Sequence, residues 1–182
     1  MQESDEKLMM SVAQGDIAAF EQLVNKYKRP VINVIYRFIG RQGDAEDLAQ
    51  EAFLRVYEAR NRYRPIAKFS TWLYKIVTNL CLNYKRRPEP LSLDEISVNP
   101  SSNSPTPEVL LESEERNAMI RAAIDSLPRN QRMAIILQRF EDASYKEIAN
   151  TMGISVSAVE SLIYRAKQTL KEELGPLRAH KK

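Results

Sequence analysis

Apolar side chains along this chain recur every three to four positions, and no stretch alternates as a half-buried strand would. The pattern predicts an all-α protein. Ser4 and Asp5 are placed to cap a short first helix, and Asp16 a second that carries Ile17, Phe20, Val24 and Tyr27. Pro30 has no amide hydrogen and should break or kink the path before Val31–Ile39 continues it. Asp44, with Asp47 three positions on, predicts the cap of a third helix whose stripe is Ala45, Leu48, Ala49, Ala52 and Val56. A fourth helix is expected from about Ser70 to Arg87, with Leu73, Ile76, Val77, Leu80 and Tyr84 on its inner face.

The periodicity then stops. Residues 88–107 hold five of the nine prolines, five serines and no basic residue, which is the composition of a linker. Fully extended, such a segment reaches about 60–70 Å. Beyond it, Thr106 and Pro107 make a capped start for a helix ending near Ser126. Pro128 opens the next, with Met133, Ile136, Leu137 and Phe140 buried. Ser144 and Glu147 form a capping box before Tyr145, Ile148, Ala149 and Met152. Gly153 follows, and Ser155 caps a last long helix with Val159, Leu162, Ile163, Ala166 and Leu170 inward. The expected architecture is two small helical domains, 1–87 and 108–182, joined by a flexible tether over 88–107.

Composition narrows the function. Five glycines cannot be assembled into a phosphate-cradling loop, and one histidine (His180) with one cysteine (Cys81) leaves no zinc set, disulfide framework or Ser-His-Asp triad. The paired carboxylates Glu46/Asp47 and Glu114/Glu115 are adjacent on helices and point apart, so they share no site. These residues describe a protein that binds rather than catalyses, with no metal and no cofactor. The first residues are too acidic for a signal peptide, and the longest apolar run, Met133–Leu137, is too short to cross a membrane. The expected location is the cytoplasm.

The net charge of +3 hides a strong segregation. Residues 55–87 hold nine cations and one acid, residues 88–115 seven acids and no cation, and the C-terminal segment is again basic. A cationic block gains from counterion release on a polyanion, which points to nucleic acid; solvated helix faces explain the same charges equally well.

Three motifs refine this. Over 145–164, Ala149 sits where two helices pack closely, Gly153 where a turn needs a left-handed backbone, and Val159 where the second helix locks on the first. This is helix-turn-helix spacing. Its outward positions are Ser157, Glu160, Ser161, Tyr164, Arg165 and Gln168, of which Arg165 and Gln168 are long enough for base edges or phosphates. In the basic block, Arg60, Arg62, Arg64 and Lys68 interleave with Tyr63, Phe69 and Trp72, ahead of Lys75, Asn79, Asn83 and Arg86. That arrangement suits single-stranded nucleic acid, although Trp72 reads equally as a core aromatic. Asn79 has the donors and acceptors to read an extruded base. The third motif, Asp47, Gln50, Glu51 and Leu54, is by itself a solvated acidic face.

Taken together, Asp44-Ala-Glu-Asp-Leu-Ala-Gln-Glu-Ala-Phe53, Phe69-Ser-Thr-Trp-Leu-Tyr-Lys-Ile-Val-Thr-Asn79, Leu127-Pro-Arg-Asn-Gln-Arg132, Ser144-Tyr-Lys-Glu-Ile-Ala149 and Val159-Glu-Ser-Leu-Ile-Tyr-Arg-Ala-Lys167 resemble the extracytoplasmic-function class of bacterial sigma factors. The resemblance spans nearly the whole chain except the linker and the last dozen residues. It implies a promoter-specificity subunit that binds core RNA polymerase and initiates transcription. Asp44, Asp47, Gln50, Glu51 and Leu54 would dock on the polymerase β′ coiled coil. Arg64, Lys68, Phe69, Trp72, Lys75, Asn79, Asn83 and Arg86 would open and read the −10 element, capturing a flipped non-template base near Asn79. The helix carrying Ser157, Glu160, Ser161, Tyr164, Arg165, Lys167 and Gln168 would read the −35 duplex beside the β flap. The acidic linker would thread the channel that later carries RNA, and an anti-sigma protein is the implied inhibitor. Glu160 stands where many relatives have arginine, so the −35 preference does not carry over. A homodimeric helix-turn-helix repressor or activator is the rival; it accounts for 145–164 and leaves the basic block and tether without work.

Overall fold

Helix ends in this chain are set by a few short polar side chains. In the computed structural model, which describes residues 3–84 and 107–175, Ser4 accepts from the Lys7 amide to start α1 (Asp5–Ala13), and Asp16 accepts from the Ala19 amide to start α2 (Ile17–Ile39). Among the described residues all regular structure is helical. Pro30 lies inside α2, which continues through it. The missing hydrogen bond and ring clash cost about 3 kcal/mol. Burial of Leu23, Val31, Val34 and Ile35 on either side outweighs that, at about 1.5–3 kcal/mol each. Gly40 ends α2 with φ 78°, donating its amide to Tyr36.

The third helix, α3 (Gln42–Glu58), begins two residues before the expected cap. Its N-cap is Arg41, and Asp44 falls within the first turn. There Asp44 meets Arg41 at 3.2 Å and accepts from the Tyr84 hydroxyl, so it ties α3 to the end of the following helix instead of capping its own. After a 3₁₀ turn (Arg60–Arg62), α4 runs Phe69–Asn83, shorter than expected because Tyr84 turns into an extended conformation. The second half comprises α5 (Pro107–Ser126), α6 (Arg129–Phe140), α7 (Tyr145–Met152) and α8 (Val156–Glu173). The capping box at Ser144–Glu147, the left-handed Gly153 (φ 68°) and the Ser155 cap stand where the sequence predicts.

Helices α1–α4 pack around one another, as do α6–α8 with the end of α5. The two groups also pack together, α4 against α7 and α2 against α6, and their buried residues form one continuous cluster. This explains two departures from the helical pattern. On α4 a second face is buried, Thr71, Tyr74, Thr78 and Cys81, beside the expected Leu73, Val77 and Leu80. On α6, Met133–Leu137 are buried all round, whereas Phe140, expected inside, is 41% exposed and lies beneath the Arg37 guanidinium at 4.1 Å.

Candidate nucleic-acid interface

The exposed edge of α4 carries the polar row. Lys75, Asn79 and Asn83 are solvent-exposed at four-residue spacing, with Trp72 half-buried at the head of the row. Leading into it, the segment Arg64–Lys68 is exposed throughout, and Ile66 is 91% exposed. The aromatic residues behave differently. Phe69 is fully buried against Tyr27, Tyr63 and Trp72, with centroids 5.4, 6.2 and 6.0 Å away. It has no face for a base, which corrects its placement among the DNA contacts. Tyr63 is buried too, its hydroxyl pushed up to about 12 by burial, and it braces Trp72 edge-on at 5.0 Å. The Phe69 amide donates to Glu6 at 2.9 Å, and the bond holds that carboxylate below its usual range. Core packing thus pins the start of α4 and fixes where the polar row points. Arg86 and the acidic linker lie outside the described residues.

On α3, Asp47, Gln50 and Leu54 are exposed, Leu54 by 61%, while Glu51 pairs with Arg55 at 2.5 Å. Gln50 and Leu54 rim an apolar groove of about 750 Å³ between α2 and α3, lined also by Ile17, Phe20, Val24 and Phe53. Sequence reasoning missed this groove because Ile17, Phe20 and Val24 have helical core spacing; the signal was that three such residues stand opposite an α3 face that itself ends in Leu54.

On α8, Ser157, Glu160, Ser161, Tyr164, Arg165, Lys167 and Gln168 are all exposed, and Val159, Ile163 and Ala166 are buried against α6 and α7. The second helix of the pair therefore presents one continuous polar face. Ser161 donates to its own helix at Ser157 O, 3.0 Å, and is short enough to sit against a backbone. Among the described residues no cluster of His, Cys, Asp and Glu can hold a metal, and no helix is long and apolar enough to cross a membrane.

A basic helix edge with a buried aromatic brace, joined to a helix-turn-helix, has a direct match among known families. The model described as Sigma-70 region 2 matches residues 23–89, and that described as Sigma-70, region 4 matches residues 117–170. The chain belongs to the sigma-70 family. It is 36% identical over 184 residues to the ECF RNA polymerase sigma-E factor of Escherichia coli (strain K12), covering 96% of both chains. To the RNA polymerase sigma-H factor of Pseudomonas aeruginosa it is 34% identical over 186 residues, covering 97% of this chain and 96% of the relative. Its fold is similar to CnrH, solved in complex with the cytosolic domain of CnrY, at a TM-score of 0.74 and 23% identity over 96% and 99% of the two chains. It is also similar to the sigma factor RpoE solved with the anti-sigma factor NepR from Bartonella quintana, at 0.67 and 19% over 87% and 98%. The chain is thus a sigma subunit of the extracytoplasmic-function type, which binds RNA polymerase and promoter DNA and is not an enzyme. A homodimeric repressor is disfavoured, because region 2 is half of the match.

Proposed function

We propose that the chain divides promoter recognition between units 1–87 and 108–182, with 88–107 as the tether that lets them part. The exposed row on α4 is the observation that carries this reading. Lys75, Asn79 and Asn83, with Trp72, Arg64 and Lys68, combine cations for phosphates with amides for an unstacked base at the −10 element. Arg86, by sequence, extends the same basic edge. Asp47, Gln50, Glu51 and Leu54 beside the α2–α3 groove meet the β′ coiled coil of core polymerase; Asp44 contributes by holding α3 to Tyr84. The polar face of α8 takes the −35 duplex, its unit resting beside the β flap, and the linker follows the RNA channel. An anti-sigma factor is the expected inhibitor, since RpoE of Bartonella quintana, which is similar in fold, was solved with the anti-sigma factor NepR.

Asn79→Ala tests the central assignment. Open-complex formation on a cognate promoter should fall at least tenfold, with affinity for core polymerase within twofold of the parent. Equal losses in both would remove Asn79 from base recognition.

A further inference from the structure

The cationic stretch proposed to read the −10 element has no acid of its own: between Glu58 and the end of α4 there is no aspartate or glutamate. Its helix nevertheless starts on a carboxylate. Lys68 stands at the N-cap of α4, and an ammonium group accepts nothing from the first-turn amides. Glu6 of α1, 63 positions back in the chain, takes that work: its Oε1 accepts from the Phe69 amide at 2.9 Å. A carboxylate there also faces the positive end of the helix, and the bond is the leading reason that its pKa is lowered.

The neighbouring Asp5 secures the same residue by its ring. Asp5 accepts from the Tyr27 hydroxyl at 2.6 Å and pairs with Lys26 at 2.7 Å, and Tyr27 meets Phe69 edge-on at 5.4 Å. Phe69 is thus held at its amide and at its ring by consecutive side chains of α1. The proposed DNA face is attached on both sides of it. Before it lies the exposed segment Arg64–Lys68, whose other end is anchored by the buried Tyr63; after it comes Trp72, braced by Tyr63 and Phe69. Carboxylates beside a phosphate-binding edge repel the ligand unless they are balanced. Asp5 is balanced by Lys26 and Glu6 by the amide it caps, so their retention beside this edge is explained by geometry.

We propose that Glu6 is a positioning residue for reading the −10 element: as the cap that α4 lacks locally, it fixes the Arg64–Lys68 segment and the edge carrying Trp72 and Asn79 before DNA arrives. The consequence rests on the −10 assignment of α4, while the cap itself is read in the free chain. Without the carboxylate the first turn of α4 frays, and an unpaired strand must order it on binding, at a cost in affinity. Contacts with core polymerase and with −35 duplex, assigned to α3 and α8, are untouched.

Full-length Glu6→Ala and Glu6→Gln are compared with the parent. Trp72 is the sole tryptophan, so its emission and its quenching by acrylamide report on the head of α4. In the free chain Glu6→Ala should show red-shifted, more readily quenched Trp72 emission. Its holoenzyme should bind a cognate template with an unpaired −10 strand about fivefold more weakly, the usual effect of a lost cap, with affinities for core polymerase and −35 duplex unchanged. Glu6→Gln keeps an oxygen that accepts from the Phe69 amide and should match the parent throughout. A serine at the N-cap supplies the bond locally, so in a Lys68→Ser background Glu6→Ala should lose most of its effect. Unchanged emission and strand binding in Glu6→Ala overturn the proposal. Equal losses for polymerase, duplex and unpaired strand also overturn it, as a general loss of stability, and so does a Glu6→Gln as weak as Glu6→Ala. Tighter strand binding by both variants would make Glu6 a repelling charge and nothing more. If Glu6→Ala loses helicity, the Lys68→Ser background must restore it, and failure to do so overturns the cap. If Trp72 responds and yet neither Glu6→Ala nor Asn79→Ala alters strand binding, the cap stands and the −10 assignment of α4 falls.

Discussion

Two glutamates at the junction of the halves titrate in opposite senses. Glu147 closes the capping box, accepting from the Ser144 amide at 2.9 Å and hydroxyl at 2.7 Å, and also takes Lys68. The Lys68 bond first, then the two from Ser144, hold its carboxyl down to about 2. A depressed folded pKa means stability that is complete above the ordinary carboxylate range and is lost as pH falls through about 2. Glu141 is the reverse. Burial raises it, against the pull of Tyr74 and Arg37, with Asp142 adding a like charge. The folded chain therefore binds that proton more readily than the unfolded one, and the burden of the buried charge is relieved as pH falls toward 4.5. The melting temperature of the parent minus that of Glu141→Gln should rise between pH 7 and pH 5. A difference that stays flat across that interval removes Glu141 from the titration. The thermal stability of Glu147→Gln, by contrast, should fall below that of the parent at neutral pH and converge with it near pH 2.

The α7–turn–α8 unit depends on three short-range choices, the Ser144 box, Gly153 and the Ser155 cap. Gly153 takes φ 68°, and a Cβ built there meets nothing within 4 Å. Gly153→Ala should therefore cost about 1–2 kcal/mol from backbone conformation alone, read by thermal or urea unfolding, and loss of Ser144 about 1 kcal/mol. A larger Gly153 effect would mean that α7 and α8 had repacked. These features were legible in sequence because each is decided within four residues. The two-sided burial of α4 was not. Its inner row Leu73, Val77 and Leu80 follows from helical spacing, but the second face, Thr71, Tyr74, Thr78 and Cys81, is buried because α4 also packs on α6 and α7, which come much later in the chain, and no local pattern encodes that. Phe69 misled for the same reason. Among cations it reads as a stacking platform, and only the positions of Tyr27 and Tyr63 show it to be core. Asp44 had the spacing of a cap, and the long-range partner Tyr84 gave it other work.

At the scale of the molecule, the proposed −10 and −35 surfaces stand on separate helical groups, and the proposed tether over 88–107 has the length in sequence to let them part. Engaged on a promoter, Asn79 and Arg165 would stand tens of ångströms apart on different units with no shared contacts, so their contributions should be independent. Substitutions at sites more than about 7–10 Å apart add within about 0.5 kcal/mol. Arg165→Ala should cost about 1–3 kcal/mol in binding −35 duplex and leave initiation from a pre-melted −10 template unchanged. Asn79→Ala should do the converse. The double variant on an intact promoter, measured as polymerase occupancy and open-complex yield, should show the sum of the two losses. A coupling well beyond that margin would mean that both residues report on one shared surface, and the division of labour between the units would have to be abandoned.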